Sequence, residues 1–206
     1  MSILALKDNQ LDALREVANI GAGHAATALS QMIEHTVMIS VPRISVARLA
    51  DMPPVVDEPE EPVAAVLLHM LGDLTGRTLL VFPRAVAVRL CELLLHRPSG
   101  TSMEFGKLEQ SAINEVGNIL SSAYMNALSK FMGMMLLPTP PSLSVNSSSA
   151  VMTPEHLHFG PGEEHVFCVE SEFLVQGLET ERLRGFFLLL PDPASLSAIL
   201  KAIRVA

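Results

Sequence analysis

Two glutamate–asparagine pairs in the sequence have residue types and spacing that can support chemistry. Glu16 precedes Asn19, and Glu115 precedes Asn118, each by three positions. Residues three apart lie on one face of a helix, so each pair presents a carboxylate beside a carboxamide. A carboxamide donates and accepts hydrogen bonds without carrying a charge. Such a pair can hold a water molecule or a polar group of a partner, although the amide cannot act as a general base at neutral pH.

The two pairs belong to an internal repeat. Residues 11–33 align without gaps with residues 110–132, and identical residues recur 99 positions apart. The recurring residues are Ala13, Glu16, Val17, Asn19, Ile20, Ala28, Leu29 and Ser30, matched by Ala112, Glu115, Val116, Asn118, Ile119, Ala127, Leu128 and Ser129. The same offset carries Pro42 onto Pro141. The chain is therefore expected to be built from two related halves.

Each half shows the same succession of patterns: a helix, a short strand after a proline, a hairpin and a second helix. In the first half, residues 72–76 separate two apolar runs in the way typical of a hairpin. Apolar residues with helical spacing follow the proline after each hairpin. We therefore expect an α+β fold in which residues 1–206 form a single domain of two internal repeats, about 1–100 and 101–206. The repeats are expected to share a sheet of roughly six strands in a pseudo-twofold arrangement.

Two segments are expected to be irregular. Residues 51–62 contain four prolines and five acidic residues, which is too many for a regular element. Residues 138–149 begin with prolines and then become rich in serine, a composition typical of turns. Each segment falls inside one repeat, so neither is interpreted as a linker between domains.

Extending each pair along its helix predicts a polar ridge. The first ridge contains Asp12, Glu16, Asn19, Gly23 and Thr27. The second ridge contains Ser111, Glu115, Asn118, Ser122 and Asn126. The residues beside the ridges are apolar and are expected to face a core; they are Val17, Ile20, Ala28 and Leu29, and Ile113, Val116, Ile119, Ala127 and Leu128.

A solvated surface is the common explanation of a polar helix face. Asparagine, however, is a poor helix former, and it recurs at the same place in both copies. The small residues Gly23 and Ser122 also leave room for another molecule to approach closely. We therefore interpret the two ridges as functional surfaces.

The composition excludes several classes of protein. Apolar residues make up 49% of the chain and charged residues 17%, which is typical of a folded domain with a substantial core. The net charge of −8 argues against a nucleic-acid partner. No secretory signal is visible, and no apolar run is long enough to cross a membrane. We therefore expect a cytoplasmic location and no membrane insertion. Cys91 and Cys168 lie in apolar stretches and are interpreted as buried thiols.

No metal site or nucleophilic mechanism is supported by a motif. The closest approach to a ligand pattern is His156 and His158 with His165, which we interpret as loop or exposed residues. The sequence contains no Gly-x-Ser-x-Gly elbow and no Walker-type phosphate loop.

The ridges resemble a motif of the CheC, CheX and FliY phosphatases, which consists of Asp or Ser, three residues, Glu, two residues, Asn, then twenty-two residues and Pro. The chain matches this motif twice, with Asp12, Glu16, Asn19 and Pro42 and with Ser111, Glu115, Asn118 and Pro141. The segments NIGAGHAATALS and GDLTGRTLLVFPRAVA also resemble CheC, so the similarity covers nearly the whole chain. His24 departs from the family pattern, since CheC relatives commonly carry asparagine there.

The resemblance implies a protein aspartyl-phosphate phosphatase that acts on a phosphorylated response regulator of the CheY type. Asn19 and Asn118 would orient the attacking water, and Glu16 and Glu115 would contact a lysine of the regulator. The remaining partner-binding residues of the ridges would be Asp12, Gly23, Ser111 and Ser122. The chain would need no cofactor of its own, because Mg²⁺ is expected in the regulator.

Two alternatives with little catalysis stay open. The resemblance also implies a regulatory adaptor that binds the deamidase CheD, or a module associated with the flagellar switch. FliY-type switch proteins carry a further C-terminal domain, and the chain ends at Ala206 without one, so the free phosphatase is expected. The sequence leaves open which regulator is the target, which ridge dominates, whether CheD binds, and the oligomeric state.

Overall fold

The computed structural model describes residues 7–40, 42–52, 54–101, 105–153, 157, 165–176 and 182–205. The first half contains α1 (Asp8–Ile33), β1 (Val37–Ile39), β2 (Arg43–Arg48), a 3₁₀ turn (Leu49–Asp51), β3 (Pro62–Gly72), β4 (Gly76–Pro83) and α2 (Arg84–Leu94). The second half contains α3 (Lys107–Met132), β5 (Leu136–Pro138), β6 (Ser142–Ser147), α4 (Ser148–Val151), β7 (His165–Val175), β8 (Arg182–Pro191) and α5 (Pro193–Val205). The predicted order of elements therefore occurs in both halves.

The strands of the described residues form a single antiparallel sheet. Their spatial order is β1, β7, β8, β4, β3 and β5, while β2 also pairs with β7 and β6 also pairs with β3. Two short strands thus share each edge of the sheet, and eight strands fill six positions. Pro42 and Pro141 lie directly before β2 and β6, where a residue without a backbone N–H interrupts an edge strand. The predicted α+β fold is confirmed, with eight strands instead of roughly six.

The two halves exchange their edge strands. β1 and β2 of the first half pair with β7 of the second, with Val37 opposite Val175 and Arg43 opposite Glu170. In the same way, β5 and β6 of the second half pair with β3 of the first. At the centre of the sheet, β4 pairs with β8 across the pseudo-twofold arrangement. Each half therefore completes the sheet of the other.

Both faces of the sheet are covered. Side chains alternate between the faces, as on any strand, so Phe187 and Leu189 join the core under the helices, whereas Phe186 and Leu188 join a second core on the opposite face. The second core is closed by Val55 together with other residues from the loop before β3 and the segment after α4. This double burial explains the long, almost uninterrupted apolar runs in β4 and β8.

Residues 138–149 are irregular only in part. They contain β6, which is the short strand expected after Pro141, and the first residues of α4, which the serine-rich composition did not predict. β6 pairs with β3 over its whole length, and backbone pairing of this kind does not require apolar side chains. Ser147 then caps α4, since its side chain accepts a hydrogen bond from the N–H of Ala150. Residues 54–61 are irregular, as predicted.

Two glycines allow α1 and α3 to pack closely against their neighbours. A Cβ atom at Gly21 of α1 would lie 2.6 Å from Cδ1 and 3.1 Å from Cα of Tyr124 in α3. A Cβ atom at Gly117 of α3 would lie 2.4 Å from Cγ1 and 2.6 Å from Cβ of Val66 in β3. Helix α1 is therefore held against α3, and α3 against the sheet, at distances that only glycine permits.

We expect Gly117→Ala to lower the free energy of unfolding by about 1–3 kcal/mol, because the added methyl group overpacks the contact with Val66. Urea unfolding at equilibrium measures this change. Gly23→Ala is the matched control, since no heavy atom lies within 4 Å of the added Cβ. The control should instead gain about 0.5–1 kcal/mol from helix propensity. Equal stability of the two variants would contradict the close packing of α3.

Candidate functional site

The first ridge lies on the exposed face of α1. All five of its residues are exposed, and Leu14, Val17 and Ala18 on the opposite face are buried. The prediction that Ile20 faces the core was wrong, because 42% of its surface is exposed. The buried arc of α1 is centred near Ala18, and Ile20 falls outside it, on the ridge side. The first ridge therefore carries an apolar side chain next to Asn19.

The second ridge is less exposed than the first. Ser111, Glu115 and Asn126 are exposed, whereas Asn118 and Ser122 are half-buried. Ile119 is also half-buried, so the neighbour of the second asparagine lies deeper than Ile20 does in the first copy. The two copies thus present the same pair of side chains in different surroundings.

The glutamate and asparagine side chains of both pairs are free to meet another molecule. Within the described part of the chain, Glu16, Asn19, Glu115 and Asn118 make no intramolecular side-chain hydrogen bond or ion pair. Asp12 differs, since its Oδ1 accepts a hydrogen bond from Nη1 of Arg15 at 2.7 Å. Each ridge therefore offers an unengaged carboxylate and an unengaged carboxamide one helical turn apart. This arrangement can bind a cationic group and orient a water molecule.

A groove with a volume of about 560 Å³ runs beside Asn118 between the two long helices. Its polar lining consists of His24 from α1 and Asn118, Ser122, Asn126 and Lys130 from α3. The structure thus brings three residues of the predicted second ridge, Asn118, Ser122 and Asn126, together in a concave site. Asn19 does not line this groove.

A second cavity, of about 50 Å³, lies inside the core beneath α1. Its lining is apolar except for Tyr124 and includes Leu14 and Val17. A small cavity with so few polar groups does not hold water or an anion. We interpret it as a packing gap, so the groove beside Asn118 is the better candidate for binding.

The start of the second ridge is fixed by an ion pair that joins the end of the first half to α3. Nη1 of Arg97 donates a short hydrogen bond to Oε1 of Glu109, which is in the first turn of α3. The backbone N–H of Glu109 itself, followed by the Arg97 guanidinium, holds the pKa of Glu109 below its usual range. Oε1 of the buried Glu92 accepts a hydrogen bond from the N–H of Thr101 at 2.9 Å. These contacts position the helix turn that precedes Ser111.

The two cysteines are buried free thiols, as predicted. Burial raises the pKa of Cys91 and of Cys168 to about 12 in each case. A thiol with so high a pKa is protonated at neutral pH and is a poor nucleophile. Neither cysteine therefore belongs to the candidate site.

The described residues contain no group of three metal-ligating side chains. His156 and His158 lie outside the described residues, and His165 begins β7. Among the described residues, every helix is too short or too polar to cross a membrane.

Sequence reasoning missed the residues that reach the second site from outside its own ridge. His24 lies on α1, far from Asn118 along the chain, and Lys130 follows the ridge by one turn. The repeat contains a signal for both residues, because each differs in type from its counterpart in the other half. His24 corresponds to Ala123, and Lys130 corresponds to Gln31. Only the packing of the helices shows that His24 and Lys130 line the same groove.

Comparison with known proteins finds relatives along the whole chain. The CheC-like family profile matches residues 10–46 and 108–145. The chain is 31% identical over 206 residues to the CheY-P phosphatase CheC of Bacillus subtilis (strain 168), and the match covers 98% of each protein. It is 25% identical over 144 residues to the flagellar motor switch phosphatase FliY of the same organism, over 68% of this chain and 36% of FliY.

The crystal structure of Thermotoga maritima FliY has a similar fold. The TM-score is 0.78 at 19% sequence identity, and the match covers 98% of this chain and 99% of that structure. The architecture described above is therefore shared with a solved structure from end to end.

The single tyrosine of the chain provides a test of the packing beneath the ridges. The Tyr124 hydroxyl lies 2.9 Å from Oγ of the buried Ser171, and its ring stacks on Phe187 with a centroid separation of 4.5 Å. Burial raises the pKa of Tyr124 to about 12. Below pH 10 this burial contributes fully to stability, which is lost as the pH rises from about 10, where the unfolded chain ionises, towards 12.

Absorbance of the tyrosinate measures this ionisation directly, since the chain has no tryptophan. We expect the folded protein to ionise about two pH units above the urea-unfolded protein, which serves as the control. Ionisation near pH 10 in the folded protein would show that Tyr124 is not enclosed between α1, α3 and the sheet.

Proposed function

The chain belongs to the CheC-like family, and we propose that it hydrolyses the aspartyl phosphate of a phosphorylated CheY-type response regulator. The relative with 31% identity over 98% of both chains is a CheY-P phosphatase. The structural observation that carries the proposal is that the side chains of both glutamate–asparagine pairs are unengaged. Both carboxamides stand on long helices without an intramolecular partner, and both have a free carboxylate one turn away.

The reaction needs positioning more than covalent chemistry. Water attacks phosphorus in line, the bond between phosphorus and the aspartyl oxygen breaks, and the products are inorganic phosphate and the regulator's free carboxylate. Asn19 or Asn118 would hold the water with its amide, which has both a donor and an acceptor. Holding the water in line lowers the entropic part of the barrier. We expect Mg²⁺ in the regulator's own site and no cofactor bound by this chain.

The carboxylates would fix the orientation of the regulator. Glu16 and Glu115 lie one helical turn before the asparagines and would pair with a lysine near the phosphorylated aspartate. Such a pair places the water of the neighbouring asparagine opposite the phosphorus. Asp12, Gly23, Ser111 and Ser122 would complete the contact surface along each ridge.

A second role at the flagellar motor is favoured by the similarity to FliY, which covers 68% of this chain. In that case the chain would dephosphorylate the regulator at the flagellar motor, close to the switch. Binding of CheD and the cytoplasmic location stay predictions from the sequence.

We expect Asn19→Ala combined with Asn118→Ala to reduce stimulated phosphate release by at least about 100-fold, because no amide is left to position water. Each single variant should keep part of the activity through the other pair. Phosphate release from the phosphorylated regulator at substoichiometric amounts of this protein measures the loss. Catalytic turnover in this assay also distinguishes a phosphatase from an adaptor that only captures the regulator.

Asn146→Ala is the matched control. Asn146 is exposed on β6 and stands opposite Val63 of β3, whose side chain is in the core on the face opposite the helices. Asn146 is therefore on the face of the sheet away from both ridges. This control should keep full activity. Near-normal release by the double variant, with unchanged helix content by circular dichroism, would remove the proposed role of the asparagines.

Glu16→Gln combined with Glu115→Gln is expected to raise KM about fivefold with little change in kcat, since an exposed ion pair between the proteins contributes up to about 1 kcal/mol at each site. Steady-state phosphate release at several regulator concentrations measures both constants. Glu58→Gln removes the same charge from an exposed loop residue and should leave KM unchanged. A fall in kcat alone would argue that the carboxylates act in the chemical step.

A further inference from the structure

The groove beside Asn118 combines polar groups from both repeats. Asn118, Ser122 and Asn126 are spaced four residues apart on α3, so they follow one side of the helix. His24 reaches the same groove from α1 of the other repeat. The second site is therefore completed by a residue that its own repeat does not contain.

The charge of the groove is opposite to that of the protein. The chain carries a net charge of −8, yet no carboxylate lies among the described residues that line the groove. Its ionisable side chains are the exposed Lys130 and His24, and the remaining polar groups can donate hydrogen bonds. A surface of this kind fits an anionic occupant.

The first repeat does not reproduce this surface. The residues 99 positions before Ser122, Asn126 and Lys130 are Gly23, Thr27 and Gln31, and the residue 99 positions after His24 is Ala123. Arg15, which lies beside the first ridge, donates to Asp12 at 2.7 Å, so its charge is already compensated. The two sites therefore share their glutamate–asparagine pair but differ in the charge around it.

The second site also has a polarity along its helix. Glu115 precedes Asn118 by one turn, whereas Lys130 follows Asn118 by twelve residues, or about 18 Å along the helix axis. An anionic group and a cationic group thus flank the asparagine on opposite sides. A partner that docks with a lysine at Glu115 would place its acidic surface along the groove towards Lys130.

We propose that His24 and Lys130 are specificity-determining residues of the second site, and that the groove binds the anionic surface around the regulator's phosphorylated aspartate. The inference rests on the proposed function and deepens it, because it assigns recognition of the regulator mainly to the second site. His24 contacts the regulator near Asn118, and Lys130 attracts acidic groups at the far end of the groove.

The test measures Lys130→Gln in two backgrounds, each with one intact pair. Asn19→Ala leaves only the second site, and Asn118→Ala leaves only the first. In the Asn19→Ala background, Lys130→Gln should raise KM about fivefold with kcat unchanged, and KM should become less sensitive to salt. In the Asn118→Ala background it should change neither constant. His24→Ala should lower kcat/KM in the Asn19→Ala background only.

Arg43→Gln is the charge-matched control. Arg43 is exposed and stands opposite Glu170 in the pairing of β2 with β7. Glu170 lies two residues from Cys168, whose side chain is in the core on the face opposite the helices. Arg43 is therefore on that face of the sheet, away from the groove. It should leave KM unchanged in both backgrounds. If Lys130→Gln changes KM equally in both backgrounds, or in neither, the groove does not discriminate and the inference is wrong.

Direct binding separates failure of this inference from failure of the proposed function. The regulator, held in its phosphorylated form with beryllium fluoride, is titrated into each variant, and Kd is measured by calorimetry. Weaker binding on Lys130→Gln supports the groove even if the asparagines prove unimportant for hydrolysis. Unchanged Kd together with loss of hydrolysis in the double asparagine variant would leave the phosphatase proposal standing and overturn the role of Lys130.

Discussion

The packing of α1 on α3 is the contact on which the rest of this structure depends. Gly21 lets the ring and backbone of Tyr124 approach α1 at a distance that excludes any side chain, and the Tyr124 ring in turn stacks on Phe187 of the sheet. Because both helices are buried along this seam, their polar faces must point outward. The seam therefore sets where the ridges lie and also creates the groove beside Asn118.

The exchange of edge strands makes this arrangement a property of the whole chain. α1 is followed by β1 and β2, which pair with β7 of the second half, and α3 is followed by β5 and β6, which pair with β3 of the first. Neither repeat can close its part of the sheet alone. The pseudo-twofold arrangement consequently holds two copies of one glutamate–asparagine pair above a single shared sheet.

Duplication preserves the pair while the surroundings diverge. An asparagine that only orients water tolerates changes around it, provided that the helix and the neighbouring carboxylate stay in place. The first pair has become an exposed ridge beside Ile20, and the second has become the wall of a groove with a cation at its end. Under the proposed function, the two pairs would share their chemistry and differ in how strongly they recognise the regulator.

The sequence by itself determined the features that depend on local spacing. The 99-residue repeat, the ridges, the hairpin at residues 72–76 and the buried cysteines follow from periodicity and composition, which act within one element. Strand exchange, the exposure of Ile20 and the placement of His24 and Lys130 in one groove were decided by the tertiary structure. Each depends on which distant element covers a surface or lends its backbone hydrogen bonds, and no local pattern encodes that choice.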